Sequence, residues 1–325
     1  GANNTNIDEV VKPVPSRVCG IKVFMGSSTG NMLVDDDAAL ERIFSESPCL
    51  IAAHCEDESI IRKNMELYKM MIEESGAKSE ATIHPLIRTA EACFKSSLRA
   101  VEMAEKTGAR LHIMHISTID ELALFTNEIP LAEKKITAET CPHYLCLHSD
   151  YYQEKGFRMK CNPAVKTEAD RAALLDALCD GTIDTIGTDH APHAKEEKFT
   201  DDYFTCPSGF PSIQHSLSLM LRLRSMGWMT LEQIVEKMCH NPAILYQIDR
   251  RGFIREGYYA DLVLLDLEAN QLVSDDTVLY KCGWTPYHGE ILPGKVTHTF
   301  VNGNLVYENG VFNEDSRGEA LLFNR

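Results

Sequence analysis

The sequence predicts an α/β fold built around a parallel barrel, and three observations carry that prediction. The chain has 325 residues, more than one small hydrophobic core usually serves, so one large barrel or two domains is expected. From Arg17 to about His193, short apolar runs alternate with longer segments of helical spacing, the pattern of repeated βα units. Histidines and carboxylates stand where successive apolar runs end, the rim on which parallel barrels assemble their sites.

The expected strands cover residues 18–24, 50–54, 110–115, 135–139 and 182–188. Thr167-Glu-Ala-Asp170 reads as a capping box. Leu174, Leu175 and Leu178 follow on one face, and Asp180-Gly181 supplies a left-handed stop. A second helix is expected to begin at Thr230, capped with Gln233, to carry Ile234, Val235 and Met238, and to end before Asn241-Pro242. After Gly252 the text turns to short strands with Gly turns, and Asn302-Gly303 between apolar runs marks a hairpin. The division expected is therefore a barrel portion over 1–250 and a β portion with a tail over 251–325. The turn-rich stretch 194–209 follows a strand end, where functional loops of a barrel lie.

Composition narrows the function. Apolar residues make up 44% and charged residues 25%, enough to bury a core. Lys and Arg total 32 against 48 Asp and Glu, a net charge of −16 that repels phosphate backbones and anionic lipid. Nucleic acid and membranes are not expected as partners; a small-molecule substrate is. Eleven cysteines, without a CxxC pair, fit reduced, mostly buried thiols of a cytoplasmic protein. Gly1 to Asn6 shows no targeting peptide, and without an initiator Met this is not expected to be the native start.

His54 closes Leu-Ile-Ala-Ala-His, His115 closes Leu-His-Ile-Met-His, and Asp189 closes Thr-Ile-Gly-Thr-Asp. One such residue usually caps or packs. Three at successive strand ends point to a metal site. Period-two alternation counted back from His115 sends His112 to the opposite pleat, so it reads as structural, and His190 should likewise point away from Asp189. Lys22 belongs to the apolar run Cys19-Gly-Ile-Lys-Val-Phe, which then meets Met-Gly-Ser-Ser-Thr-Gly. It is either a snorkelling lysine or, buried beside cations, an amine able to capture carbon dioxide as a bridging carbamate.

In order, Ile-Lys22-Val-Phe-Met-Gly, Ala-His54-Cys-Glu-Asp, His115-Ile-Ser-Thr, Cys-Pro-His143-Tyr-Leu, Asn162-Pro-Ala-Val-Lys and Thr-Asp189-His-Ala-Pro-His193 resemble the motifs of dihydroorotases in the amidohydrolase superfamily. The likeness is to the bacterial type with a carboxylated lysine. It implies a TIM-type (β/α)8 barrel with half of a small β-sandwich at the C-terminus, and zinc-dependent ring closure of N-carbamoyl-L-aspartate to dihydroorotate in pyrimidine biosynthesis. It further implies two zinc ions bridged by carboxylated Lys22, with His54 and His115 on one ion. Asp189 would bind the other and act as catalytic base. Asn162, His193 and the backbone of Ser208 and Gly209 would hold the substrate, and residues 194–206 would cover the site. A homodimer is common among such proteins.

The sequence departs from the pattern in two places. Asn162-Pro-Ala-Val-Lys stands where Asn-Pro-Pro-Leu-Arg is commoner, and no His-x-His occurs anywhere in the chain. The barrel is therefore expected to be N-terminally incomplete, the more buried zinc short of two ligands, and the chain alone inactive. Hydantoinase (dihydropyrimidinase) or allantoinase activity, or a non-catalytic relative, are the competing readings. His84 and Arg88 are candidates for the site mouth or for packing bonds, and His143 for support.

Overall fold

The computed structural model describes residues 1–26 and 32–325, so part of the Gly-Ser-Ser-Thr-Gly segment after Lys22 lies outside the described residues. Five strands form one parallel sheet in chain order: β1 (Ile21–Phe24), β2 (Ile51–His54), β3 (Leu111–Ile113), β4 (Ile136–Thr140) and β5 (Thr185–Ile186). This is the α/β, TIM-type arrangement expected, with every strand inside or overlapping its predicted span. The register aligns Val23, Ala53, Ile113 and Ala138 across four strands. All four are fully buried. Small and β-branched residues in adjacent rows let the layers lie close.

Between strands the chain turns helical where its punctuation says it should. Asp36, Asp57 and Thr89 cap the helices Asp37–Glu46, Glu58–Ser75 and Ala90–Thr107 by accepting backbone N–H bonds, and Gly76 and Gly108 end the last two in the left-handed region. Thr167 and Asp170 close the predicted capping box of Glu168–Asp180, which stops at Gly181 (φ 91°).

The second predicted helix does not end before Asn241. Thr230 and Gln233 cap Leu231–Val235 as expected, but a wider π turn over Glu236–His240 hands the chain to a further helical segment, Asn241–Leu245. Pro242 falls in the first turn of that segment, where the missing N–H costs nothing.

A second sheet is antiparallel: β6 (Leu262–Leu272), β7 (Ile291–Val301), β8 (Asn304–Glu308) and β9 (Val311–Phe312). Asn302 (φ 53°) and Gly303 (φ 81°) make the predicted hairpin turn between β7 and β8. Val263, Leu264, Leu272, Ile291, Val311 and Phe312 are exposed on this sheet. The link from β6 to β7 carries the buried Trp284 and Tyr287, and Trp284 Nε1 donates to the carbonyl of His193 at 2.9 Å. That bond ties the end of the chain to the rim of the parallel sheet. All eleven cysteines are unpaired, and Cys49, Cys55, Cys93, Cys141, Cys161 and Cys206 are buried. No helix among the described residues is long and apolar enough to cross a membrane.

Candidate active site

Lys22 lies in β1, His54 ends β2, and His115 and Asp189 stand just past β3 and β5. The strand order thus gathers all four on one rim. His115 (φ 44°) and Asp189 (φ 43°) are both in the left-handed region, which costs a non-glycine residue free energy and recurs where function demands a particular aim.

His54 and His115 meet edge to face, ring centroids 4.7 Å apart. The Nδ1 of His54 lies 2.9 Å from Nε2 of His115, while Nε2 of His54 lies 3.1 Å from a Glu56 carboxylate oxygen. Arg88 donates to the same oxygen. Burial raises the Glu56 carboxyl, but the Arg88 charge and the His54 ring outweigh it and bring the group to about 2. Burial lowers both histidines, His115 well below the ordinary range. Both are held neutral, the form in which imidazole can ligate a metal.

Lys22 Nζ sits 2.8 Å from the Met114 sulfur and 4.5 Å over the Phe24 ring. Burial in that apolar company pulls its ammonium down to about 8, against the opposing pull of Asp189, Glu139 and Cys55. An amine with so low a pKa spends more of its time as the neutral nucleophile. Burial lifts the Asp189 carboxyl to about 6, with Lys22 working the other way and Glu139 and Glu56 adding to the rise.

The predicted substrate residues come together at the same rim. The Oδ1 of Asn162 is buried with no partner among the described residues. The Nε2 of His193 lies 3.1 Å from the Ser208 carbonyl. Gly209 has φ 136°, and a Cβ there would stand 2.5 Å from the Ala191 carbonyl and 3.2 Å from His193 Nε2. Only glycine fits. The stretch 194–206 is folded onto the body: Ser79 donates to Asp202 at 2.6 Å, and Tyr203 and Cys206 are buried.

Two other histidines and Arg88 sort differently. His84 is fully buried and bridges the Tyr203 hydroxyl (2.8 Å) and the Cys161 carbonyl (2.7 Å), so it packs and does not line the mouth. Arg88 reaches the site through Glu56. His143, beside the rings of Tyr144 and Phe210, has both nitrogens buried without a partner among the described residues, and burial lowers it to about 3.

His112 corrects the sequence reading. In register with Lys22, Ala52 and Thr137, it shares the face of Lys22 instead of turning from it. Its nitrogens contact Thr137 Oγ1 (2.9 Å) and Glu139 Oε2 (3.2 Å). The alternation failed because it was counted from His115, which lies beyond the strand in a left-handed turn. His190 does point away as expected, its Nδ1 accepting from the Ser212 backbone at 3.1 Å.

Glu56 and Glu139 are the residues that sequence reasoning missed. Glu56 follows His54 by two positions, and Glu139 sits in β4 where its carboxyl fills the space beside Gly187. Two neutral imidazoles with converging nitrogens, a low-pKa lysine and a carboxylate fit a divalent cation in kind. Among the described residues, however, no three His, Cys, Asp or Glu side chains form a closed metal group. The donor set is thus open, two imidazoles supplemented by Lys22 and Asp189.

Residues 37–306 match the amidohydrolase family. A dihydroorotase of Listeria welshimeri is 36% identical over 262 residues, covering 80% of this chain and 59% of that protein. A dihydroorotase of Halobacterium salinarum is 32% identical over 289 residues, covering 88% and 64%. The chain therefore spans about three fifths of the length of these relatives. Among solved structures, an L-hydantoinase (dihydropyrimidinase) from Arthrobacter aurescens superposes with a TM-score of 0.86 at 27% identity, covering 96% of this chain and 69% of that one. A dihydropyrimidinase from Brevibacillus agri shares the fold, with a TM-score of 0.83 at 24% identity. With the family match running over most of its length and the strand-end histidines, lysine and aspartate on one rim, the chain belongs to the amidohydrolase family.

Proposed function

We propose that this chain carries the catalytic face of a dihydroorotase, closing N-carbamoyl-aspartate to dihydroorotate and reopening it. The observation that carries the reading is the convergence of Lys22, His54, His115 and Asp189 on the rim where Asn162, His193, Ser208 and Gly209 also gather. The dihydroorotase relatives support it from sequence.

Closure forms an amide bond between the carbamoyl nitrogen and the side-chain carboxyl carbon, and one water leaves. Lys22 as its carbamate, with His54, His115 and Asp189, would hold zinc. Bound there, the metal would supply Lewis acidity toward the carbonyl under attack. Asp189 then moves the proton, taking one from the carbamoyl nitrogen during closure and holding it for return. In ring opening it delivers that proton to the departing nitrogen. Asn162 Oδ1, buried and without a partner among the described residues, would accept a ring N–H. His193 orients the Ser208 backbone by donating from Nε2, while its Nδ1 lies 3.9 Å from a Glu197 carboxylate oxygen.

Hydantoinase activity is the second reading, favoured by the L-hydantoinase structure. Both substrates are cyclic amides, and the carboxylate of dihydroorotate separates them. The test is turnover by the complete gene product with zinc supplied. Conversion of dihydroorotate without hydantoin hydrolysis supports the proposal, and hydantoin hydrolysis with dihydroorotate untouched replaces it.

A further inference from the structure

Two lysines behind the substrate-facing turn are held by backbone carbonyls. Lys198 is fully buried, and its ammonium donates to the carbonyls of Lys160 (2.7 Å), Pro207 (2.9 Å) and Gly209 (2.7 Å). Three donors meet three backbone acceptors, so its capacity is filled. Lys160, also buried, donates to the carbonyls of Tyr203 (2.7 Å) and Cys206 (2.5 Å) and lies 3.9 Å over the Tyr203 ring.

Burying two ammonium groups whose hydrogen bonds all go to backbone carbonyls is costly. Burial pulls each of them down to about 8; Cys206 opposes the fall at both and Asp202 at Lys160, while Lys160 adds to it at Lys198 and Arg88 at Lys160. Apolar side chains would fill the same space at less cost, so volume alone does not account for the pair. What the two charges do is collect five carbonyls from both sides of the site. Lys160 precedes Asn162 by two residues, and Pro207 and Gly209 flank Ser208. The Gly209 N–H closes the arrangement by donating to the Lys160 carbonyl at 2.9 Å.

We infer that Lys198, seconded by Lys160, is a positioning residue that locks the Pro207–Gly209 turn to the segment entering Asn162, so that both sides of the substrate surface are set before ligand arrives. Its role as a substrate clamp rests on the proposed function. Neither lysine touches the reacting atoms. Their effect is on binding, by sparing the ligand the cost of ordering the turn.

The test compares unmodified complete gene product with Lys198→Met and Lys160→Met, measuring kcat and KM for dihydroorotate alongside thermal melting. A hydrogen bond to a charged group is worth a decade or more in an equilibrium constant, so Lys198→Met should raise KM roughly tenfold while kcat changes little. A folded Lys198→Met with unchanged KM overturns the inference, as does a fall confined to kcat and melting temperature. Should Lys198→Met not fold, Lys198→Gln and Lys160→Met are judged on KM in the same way. If the unmodified protein does not turn over dihydroorotate, the functional reading fails separately. The clamp is then decided by amide exchange at Gly209: faster exchange in Lys198→Met, with β1–β4 unchanged, supports it, and unchanged exchange at Gly209 overturns it.

Discussion

Glu56 holds His54 by its Nε2 at 3.1 Å and so leaves Nδ1 facing the Nε2 of His115. A carboxylate on the far nitrogen of a ligand histidine fixes both tautomer and ring orientation. Glu56→Gln keeps the shape but removes the charge that favours a proton on Nε2. Zinc affinity of the complete protein, measured by chelator competition, should fall about 10- to 100-fold. Equal affinity would mean that Glu56 serves only to pair Arg88.

Asp189 and Lys22 make opposite predictions about rescue. Asp189→Ala should lower turnover by about 10²- to 10⁴-fold with the melting temperature nearly unchanged, the range for losing a positioned acid–base group. Lys22→Ala should lose bound metal and recover part of its activity with added acetate or propionate, which can stand in for a carbamate. Full activity and full metal content in Lys22→Ala would remove the carbamate from the reading.

Gly209→Ala tests the substrate surface sterically. The added Cβ would meet the Ala191 carbonyl at 2.5 Å, from a residue whose φ of 136° other residues avoid. Either effect is expected to cost about 1–3 kcal/mol. Because Gly209 lies beside His193, KM should rise more than stability falls. An alanine variant with unchanged KM would place the substrate elsewhere.

Much of this arrangement was legible in the residues, and the misses share a cause. Strand cores and caps are local, so Val23, Ala53 and Ile113 or Thr167 and Gly181 declare themselves by period and punctuation. His54, His115 and Asp189 were legible because each ends an apolar run. His112 was misassigned because a left-handed residue, His115, breaks the alternation without any glycine to signal it. Pro242 misled because a π turn is not written in local propensity. Glu56 and Lys198 could not be read at all as partners: the contacts that define them join residues 32 apart, as Arg88 to Glu56, or 38 apart, as Lys198 to Lys160.

Buried histidines contribute to the response to acid above pH 4. His84 and His143 are fully buried and His215 nearly so. Burial lowers His84 well below 6.5, His143 to about 3 and His215 to about 4. In the unfolded chain each takes a proton near 6.5, whereas the folded state resists it. Below 6.5 the unfolded state therefore binds more protons, and stability must fall as pH falls. The loss begins near pH 6.5 and continues to about 4 for His215 and about 3 for His143, with a limiting slope of about 1.4 kcal/mol per pH unit for each histidine. His143 separates this effect from catalysis, because neither of its nitrogens has a partner among the described residues to lose. His143→Leu should leave stability at pH 8 nearly unchanged and make the denaturation midpoint less sensitive between pH 6.5 and 4. If the variant instead keeps the full acid sensitivity, His143 is not neutral in the folded protein, and its environment is more polar than its packing against Tyr144 and Phe210 implies.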